Sequence, residues 1–160
     1  MQVTNTSQGV GGILNSFKGL TEGAEKITFV GTPGFCTPFA ELLGFVARDK
    51  KLAFIPNLDF DKARSIIMTP DGMQLGKLTD GHADVVVLLG GLSMPKAGIA
   101  CEKANEVASK ILENSEKRKI IGLCFQSMLT QQKWHETIDF DYILDADISV
   151  EVLSLWNFKD

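Results

Sequence analysis

Asp84-Val-Val-Val-Leu-Leu-Gly-Gly91 decides the fold. Five successive apolar residues, three of them β-branched, run with no polar alternation. A strand with one face in water alternates, whereas a strand covered on both faces does not. Parallel sheets flanked by helices are covered on both faces. Two glycines follow, then Leu92-Ser-Met-Pro95. Residues 96–112 then bring Ala100, Ala104, Val107, Ala108 and Ile111 round at helical spacing.

The same grammar repeats outward. Upstream, Ile27-Thr-Phe-Val30 reads as a strand ending at Gly31 and the loop Thr32-Pro-Gly-Phe-Cys36. Thr37 is placed to cap a helix, with Pro38 at its first position. Phe39, Leu42, Leu43 and Val46 form that helix's apolar face. Leu52-Ala-Phe-Ile55 is a second strand, stopped by Pro56. Ala63, Ile66 and Ile67 suggest a short helix, Thr69-Pro-Asp-Gly72 a turn, and residues 73–82 an irregular stretch. Downstream, residues 119–123 form a fourth strand with Cys124 at its end. Phe125, Met128, Leu129 and Gln132 continue at helical spacing to about Trp134. Residues 142–144 and 148–156 are further strand candidates.

Residues 1–25 are weakly patterned. Ile13, Leu14 and Phe17 mark a short helix within residues 8–20. Alternation of strand and helix predicts a single α/β domain over residues 1–160. The expected core is one doubly wound, mostly parallel sheet, a Rossmann-like or flavodoxin-like three-layer sandwich.

Composition narrows the function classes. The chain has 160 residues, 44% hydrophobic and 22% charged, with a formal net charge of −4. Without a basic bias, a nucleic-acid partner is not expected. No apolar run approaches the roughly 20 residues of a membrane span, so no membrane partner is expected either. The first residues lack a basic region followed by an apolar stretch, so no secretory signal is expected. Three cysteines, none in a Cys-x-x-Cys pair, fit reduced thiols in a cytoplasm.

In doubly wound sheets, ligands lie outside the carboxyl ends of the strands. Candidate site residues therefore come from the loops at those ends. Thr32, Gly34, Cys36 and Thr37 belong to a glycine-containing loop that feeds a helix N-terminus, a layout that favours anions. It matches neither the dinucleotide nor the P-loop fingerprint, and no acidic residue ends the second strand to clamp a ribose. Gly90 and Gly91 admit close backbone approach, and Ser93 follows them. Cys124 and Gln126 occupy a strand-turn-helix layout like a nucleophile elbow. A cysteine nucleophile needs a base in reach. His135 lies 11 residues beyond Cys124, about 16 Å along a continuous helix, and His82 precedes the third strand. Glu41, in the first turn of the helix after strand one, is the carboxylate best placed for Cys124. Cys36 and Cys124 share the carboxyl edge, but a shared metal lacks supporting histidine, so no metal site and no cofactor are assigned.

Residues 83–129, with their double glycine and the Gly-x-Cys of Gly122-Leu-Cys124, resemble part of the class I glutamine amidotransferase and intracellular-protease-like superfamily. The resemblance implies a cysteine nucleophile at Cys124. The chain departs from it where the elbow glycine is Gln126 and the protease-like histidine is Phe125. More broadly, Phe29-Val-Gly-Thr-Pro-Gly-Phe-Cys-Thr-Pro-Phe-Ala-Glu-Leu-Leu43 with Leu88-Leu-Gly-Gly-Leu-Ser-Met-Pro95 resembles an uncharacterised archaeal family found mainly in methanogens. That resemblance implies a fold and a source, and no activity.

Three functions are consistent with the residues. The first is a small-molecule ligand, anionic in one version, bound at the carboxyl edge. The second is an enzyme with Cys124 as nucleophile and Glu41 tuning it. The third is an interaction protein or homo-oligomer that uses residues 148–156.

Overall fold

The computed structural model describes residues 1–156. Its helices are α1 (Gly9–Leu20), α2 (Thr37–Val46), α3 (Cys101–Leu112) and α4 (Met128–Gln131). Its strands are β1 (Lys26–Gly31), β2 (Lys51–Pro56), β3 (Arg64–Thr69), β4 (Gly72–Leu78), β5 (Val85–Leu89), β6 (Lys119–Phe125) and β7 (Tyr142–Ala146). Short 3-10 turns stand at Phe60–Lys62, Gly90–Ser93, Pro95–Ala97 and Trp134–Glu136. All seven strands form one sheet in the order β4-β3-β2-β1-β5-β6-β7.

The five residues of β5 are all buried, and they alternate between two cores. Val85, Val87 and Leu89 face one core with Phe17, Phe29, Leu43 and Phe54, under α1 and α2. Val86 and Leu88 face the other with Ala104, Ala108, Ile111, Leu129 and Trp134, under α3 and α4. The lack of polar alternation in the quoted stretch thus reports coverage on both sides. The helix expected within residues 8–20 is α1, and its Phe17 ring lies 5.8 Å from Phe29.

The sheet is mixed, which corrects the expectation of a mostly parallel one. β1 pairs in parallel with β2 and β5, and β6 in parallel with β5 and β7. Beyond β2, however, β3 and β4 join antiparallel. Ala63, Ile66 and Ile67 were expected on a short helix, yet residues 64–69 form β3 and residues 72–78 form β4. The spacing 63, 66, 67 fits a helix face, but Ile66, Ile67 and Thr69 are β-branched and suit a strand better. Thr69 pairs with Gly72 across a two-residue turn. The Thr69 hydroxyl donates to the Gly72 carbonyl at 2.8 Å and accepts from the Asp71 N–H at 3.1 Å. Gly72 takes φ +105°, which favours glycine.

Three further expectations change near the carboxyl ends. The helix expected from residue 96 is interrupted by Gly98 at φ +64°, and α3 starts at Cys101. β6 continues through Cys124 and Phe125, because β7 runs beside it and pairs Cys124 with Asp145. Gln126 (φ 52°) and Ser127 (φ 59°) then break the chain direction, so α4 is a single turn and no helix reaches from Cys124 to Trp134. Residues 148–156 form no strand and are exposed.

β1 leads through α2 to β2 on one side, and β5 leads through α3 to β6 on the other. The loops leaving β1 and β5 therefore diverge, and a crevice opens between them at their carboxyl ends. Among the described residues no helix is long and apolar enough to cross a membrane.

Candidate functional site

A cavity of about 60 Å³ occupies that crevice, lined by the carboxyl ends of β5 and β6 and by residues that follow β1, β5 and β6. Cys36, Gly90, Gly91 and Cys124 are among the residues that line it. Phe35, Phe39, Met94, Phe125 and Met128 complete most of the wall. The Phe39 and Phe125 rings lie 5.0 Å apart at 49°.

The double glycine lets these parts meet. A Cβ on Gly91 would fall 2.5 Å from Cys36 Sγ and 2.9 Å from Phe35 Cδ1. A Cβ on Gly90 would fall 2.7 Å from Cys124 Cβ and 3.1 Å from its Cα. Gly91 thus receives the loop after β1, and Gly90 receives β6. The two thiols are brought to one cavity by the absence of two side chains.

The remaining sequence candidates serve the frame around the cavity. Thr32 Oγ1 lies 3.2 Å from Cys36 Sγ, and the Cys36 N–H donates to the Thr32 carbonyl at 2.9 Å, which closes the loop. Gly34 takes φ +79° at the tip of that loop. Its N–H donates to Thr37 Oγ1 at 3.2 Å, and Cys36 rather than Thr37 is the residue at the helix cap. Ser93 is buried and donates to the Gly90 carbonyl at 2.8 Å, so its hydroxyl is spent inside its own turn. Gln126 is exposed and ties the end of β6 to the chain beyond β7: its amide donates to Asp147, and its Oε1 accepts from the Ile148 N–H at 2.7 Å. None of these side chains lines the cavity.

Cys124 is 1% exposed. Burial pushes its thiol up to about 11, with the Asp145 carboxylate adding to the rise. Its Sγ–H donates to Asp145 Oδ1 at 3.6 Å, while Asp145 also accepts from the Ser127 N–H (2.8 Å) and hydroxyl (2.7 Å). The carboxylate beside Cys124 is therefore Asp145 of β7, and Glu41 is not on the cavity wall. The strained positions expected of an elbow fall on Gln126 and Ser127, two and three residues late. A protonated thiol inside a strand is the opposite of an activated nucleophile. Among the described residues no three His, Cys, Asp or Glu side chains converge on a common metal position.

The aromatic and methionine walls were not anticipated from the sequence, nor was Asp145. A signal existed for the first. Phe35 precedes Cys36 and Phe125 follows Cys124, so each apolar ring flanks a thiol at a strand end. Asp145 needed the β6–β7 register, which no short motif carries.

Known proteins extend this picture. A crystal structure of a protein of unknown function from Methanothermobacter thermautotrophicus superposes with a TM-score of 0.91 at 41% identity, covering 96% of this chain and 98% of that one. An uncharacterized protein of the same organism is 42% identical over 153 residues, covering 96% of this chain and 99% of its own length. An uncharacterized protein of Methanocaldococcus jannaschii is 36% identical over 155 residues, covering 95% and 94%. The partial likeness to glutamine amidotransferases gains no support from these relatives. Residues 8–149 match a family model over most of the chain, and the chain belongs to the family described as uncharacterized protein conserved in archaea (DUF2124).

Proposed function

We propose that this protein is a small-molecule-binding α/β protein whose ligand places an apolar group in the cavity between β1, β5 and β6. The observation that carries the reading is the coincidence of that cavity with the point where the β1 and β5 crossovers diverge. Numbered among themselves, the parallel strands follow the order 2-1-3-4-5 of flavodoxin-like sheets, which bind their ligand at this position. The cavity is small beside the roughly 300–1,000 Å³ that hold drug-sized ligands. It therefore suits a small apolar group, or the apolar end of a longer molecule. No charged side chain lines it. An anionic version of the ligand finds little here, because Pro38 lacks an N–H and the Cys36, Phe39 and Ala40 N–H groups already donate to the Thr32 and Cys36 carbonyls. Cytoplasmic residence with reduced thiols completes the reading.

The test is calorimetric titration of a panel of small aromatic and aliphatic fragments into the wild type and Gly91→Leu, which fills the crevice. The reading expects fragment binding in the wild type and its loss in the variant. Equal binding by both would overturn it.

A second reading, self-association, is favoured by one observation. Ile148, Val150, Val152, Leu153, Leu155 and Trp156 are all exposed. A monomer at all concentrations in sedimentation would reject it.

A further inference from the structure

Residues 148–156 read Ile-Ser-Val-Glu-Val-Leu-Ser-Leu-Trp, with Glu151 the one charged residue among them. From Ile148 to Val152 apolar and polar residues alternate, the pattern of a half-buried strand. The segment nevertheless forms no strand and stands in water, with Val152 93% and Leu155 94% exposed. Six large apolar side chains exposed within one short segment mark an interaction surface.

The root of this arm keeps it off its own sheet. Gln126, just past β6, accepts the Ile148 N–H at 2.7 Å and donates to Asp147. These bonds hold the chain on the β6 side of β7, so a hairpin back onto the open side of β7 would have to break them. Among the described residues no strand lies beyond β7, which pairs on one side only. A free edge is a template for a further strand. The opposite edge, β4, is blunted by Gly72, Gly76 and Lys77. On β7 the one charge, Asp145, is turned onto Ser127 and Cys124. Its Leu144 and Ile143 are only partly buried, one toward each core, so both faces of this edge have room for apolar neighbours.

We propose that two copies of this chain form a symmetric dimer by exchanging these arms, each laying residues 148–156 as an added strand on the β7 edge of the other. The proposal rests on the self-association reading and names its partner and its surface. Because the arm continues directly from β7, a two-fold axis beside its root brings each arm to the other copy's β7, and the contact closes at two copies. The arm is long enough: nine extended residues span about 30 Å, and the five of β7 about 17 Å. The area also suffices. Fully burying the six apolar side chains takes about 600 Å² of each arm out of water. Two arms with the edges that receive them reach the roughly 1,200–2,000 Å² of a stable interface.

The experiment compares the full chain with Val150→Asp/Val152→Asp by sedimentation velocity over a wide range of concentration, and by amide hydrogen exchange. Both substituted residues are exposed in the single chain, so the fold should persist, with an unchanged circular dichroism spectrum. The wild type is expected to sediment as a dimer, with the amides of residues 149–156 and of β7 protected. In the variant the dimer dissociation constant should rise at least roughly a hundredfold, and the arm amides should lose their protection. A monomer at all concentrations overturns both this proposal and the self-association reading; protected arm amides in that monomer would place the arm on its own chain. A dimer that the variant leaves intact, or one whose arm amides exchange freely, overturns the exchange of arms and leaves self-association standing. Assemblies larger than two would place the arm on a surface other than β7, and also overturn the proposal.

Discussion

The two ends of the sheet are built in different ways. At the amino end, exposed charges brace the strands. The Asp84 carboxylate accepts the Glu25 N–H at 2.9 Å and the Lys26 N–H at 2.8 Å, joining the start of β5 to the start of β1. His82 stands between Asp80 (2.6 Å) and Glu113 (2.9 Å), joining the approach to β5 to the end of α3. The side chains of Asp80 and Glu113 are 63% and 54% exposed, so water screens both contacts. At the carboxyl end the wall is apolar, and it depends on glycine backbone fitting against two buried thiols. The cluster with the more conspicuous charge is a brace. The cluster beside the cavity is the nearly uncharged one.

Substitutions should therefore cost most at the carboxyl end. Gly90→Ala is expected to cost the most, about 2–3 kcal/mol in denaturant unfolding, because its Cβ meets the β6 backbone, which has no room to yield. Gly91→Ala should cost less, about 1–2 kcal/mol, because Cys36 Sγ and Phe35 are side-chain atoms that can shift. Both values are read by chemical denaturation of the wild type and the variants. If either glycine variant is neutral, close packing does not shape the crevice.

Asp145→Ala removes the acceptor of the Ser127 N–H and hydroxyl and of Cys124 Sγ–H, and is expected to cost about 1 kcal/mol. In the wild type, a thiol at about 11 carries at least about a hundredfold less thiolate at pH 8 than an ordinary cysteine. Cys124 should therefore alkylate last of the three cysteines by mass spectrometry. Rapid labelling of Cys124 would return the nucleophile reading to consideration.

The smallest effect belongs to the amino end. The hydrogen bond to Glu113 raises the His82 pKa above its ordinary value, with Asp80 adding to it against burial. A raised folded-state pKa stabilises below the unfolded value, and the contribution fades as pH climbs through the folded value. Stability should thus decline above roughly pH 6.5 by under about 1 kcal/mol. In His82→Gln that decline should vanish, as followed by Tm against pH. A steeper loss would mean that the amino end carries more than bracing.

The sequence revealed the covered strand β5, the strand-end loops and the two thiols at the edge. It did so because a run of Val and Leu without alternation has few alternatives, and because Gly and Cys mark turns and tight contacts. The hairpin β3–β4 was hidden, because Ala63, Ile66 and Ile67 satisfy a helical period as well as a strand. The length of β6 was hidden for a different reason. It is set by β7, whose Asp145 and Ala146 pair with Cys124 and Phe125, and pairing across 21 residues leaves no local trace. The turn expected at Cys124 is displaced for the same cause. With β7 alongside, Cys124 is a strand residue, and the sharp turn falls on Gln126 and Ser127.

The most direct test follows the methionine ε-methyl signals by NMR during titration of the fragment panel. The account predicts that Met94 and Met128 shift, while Met68 and Met73, on β3 and β4, stay in place. Shifts confined to Met68 and Met73, or no shift at Met94 and Met128 with any fragment, would contradict a binding site between β1, β5 and β6.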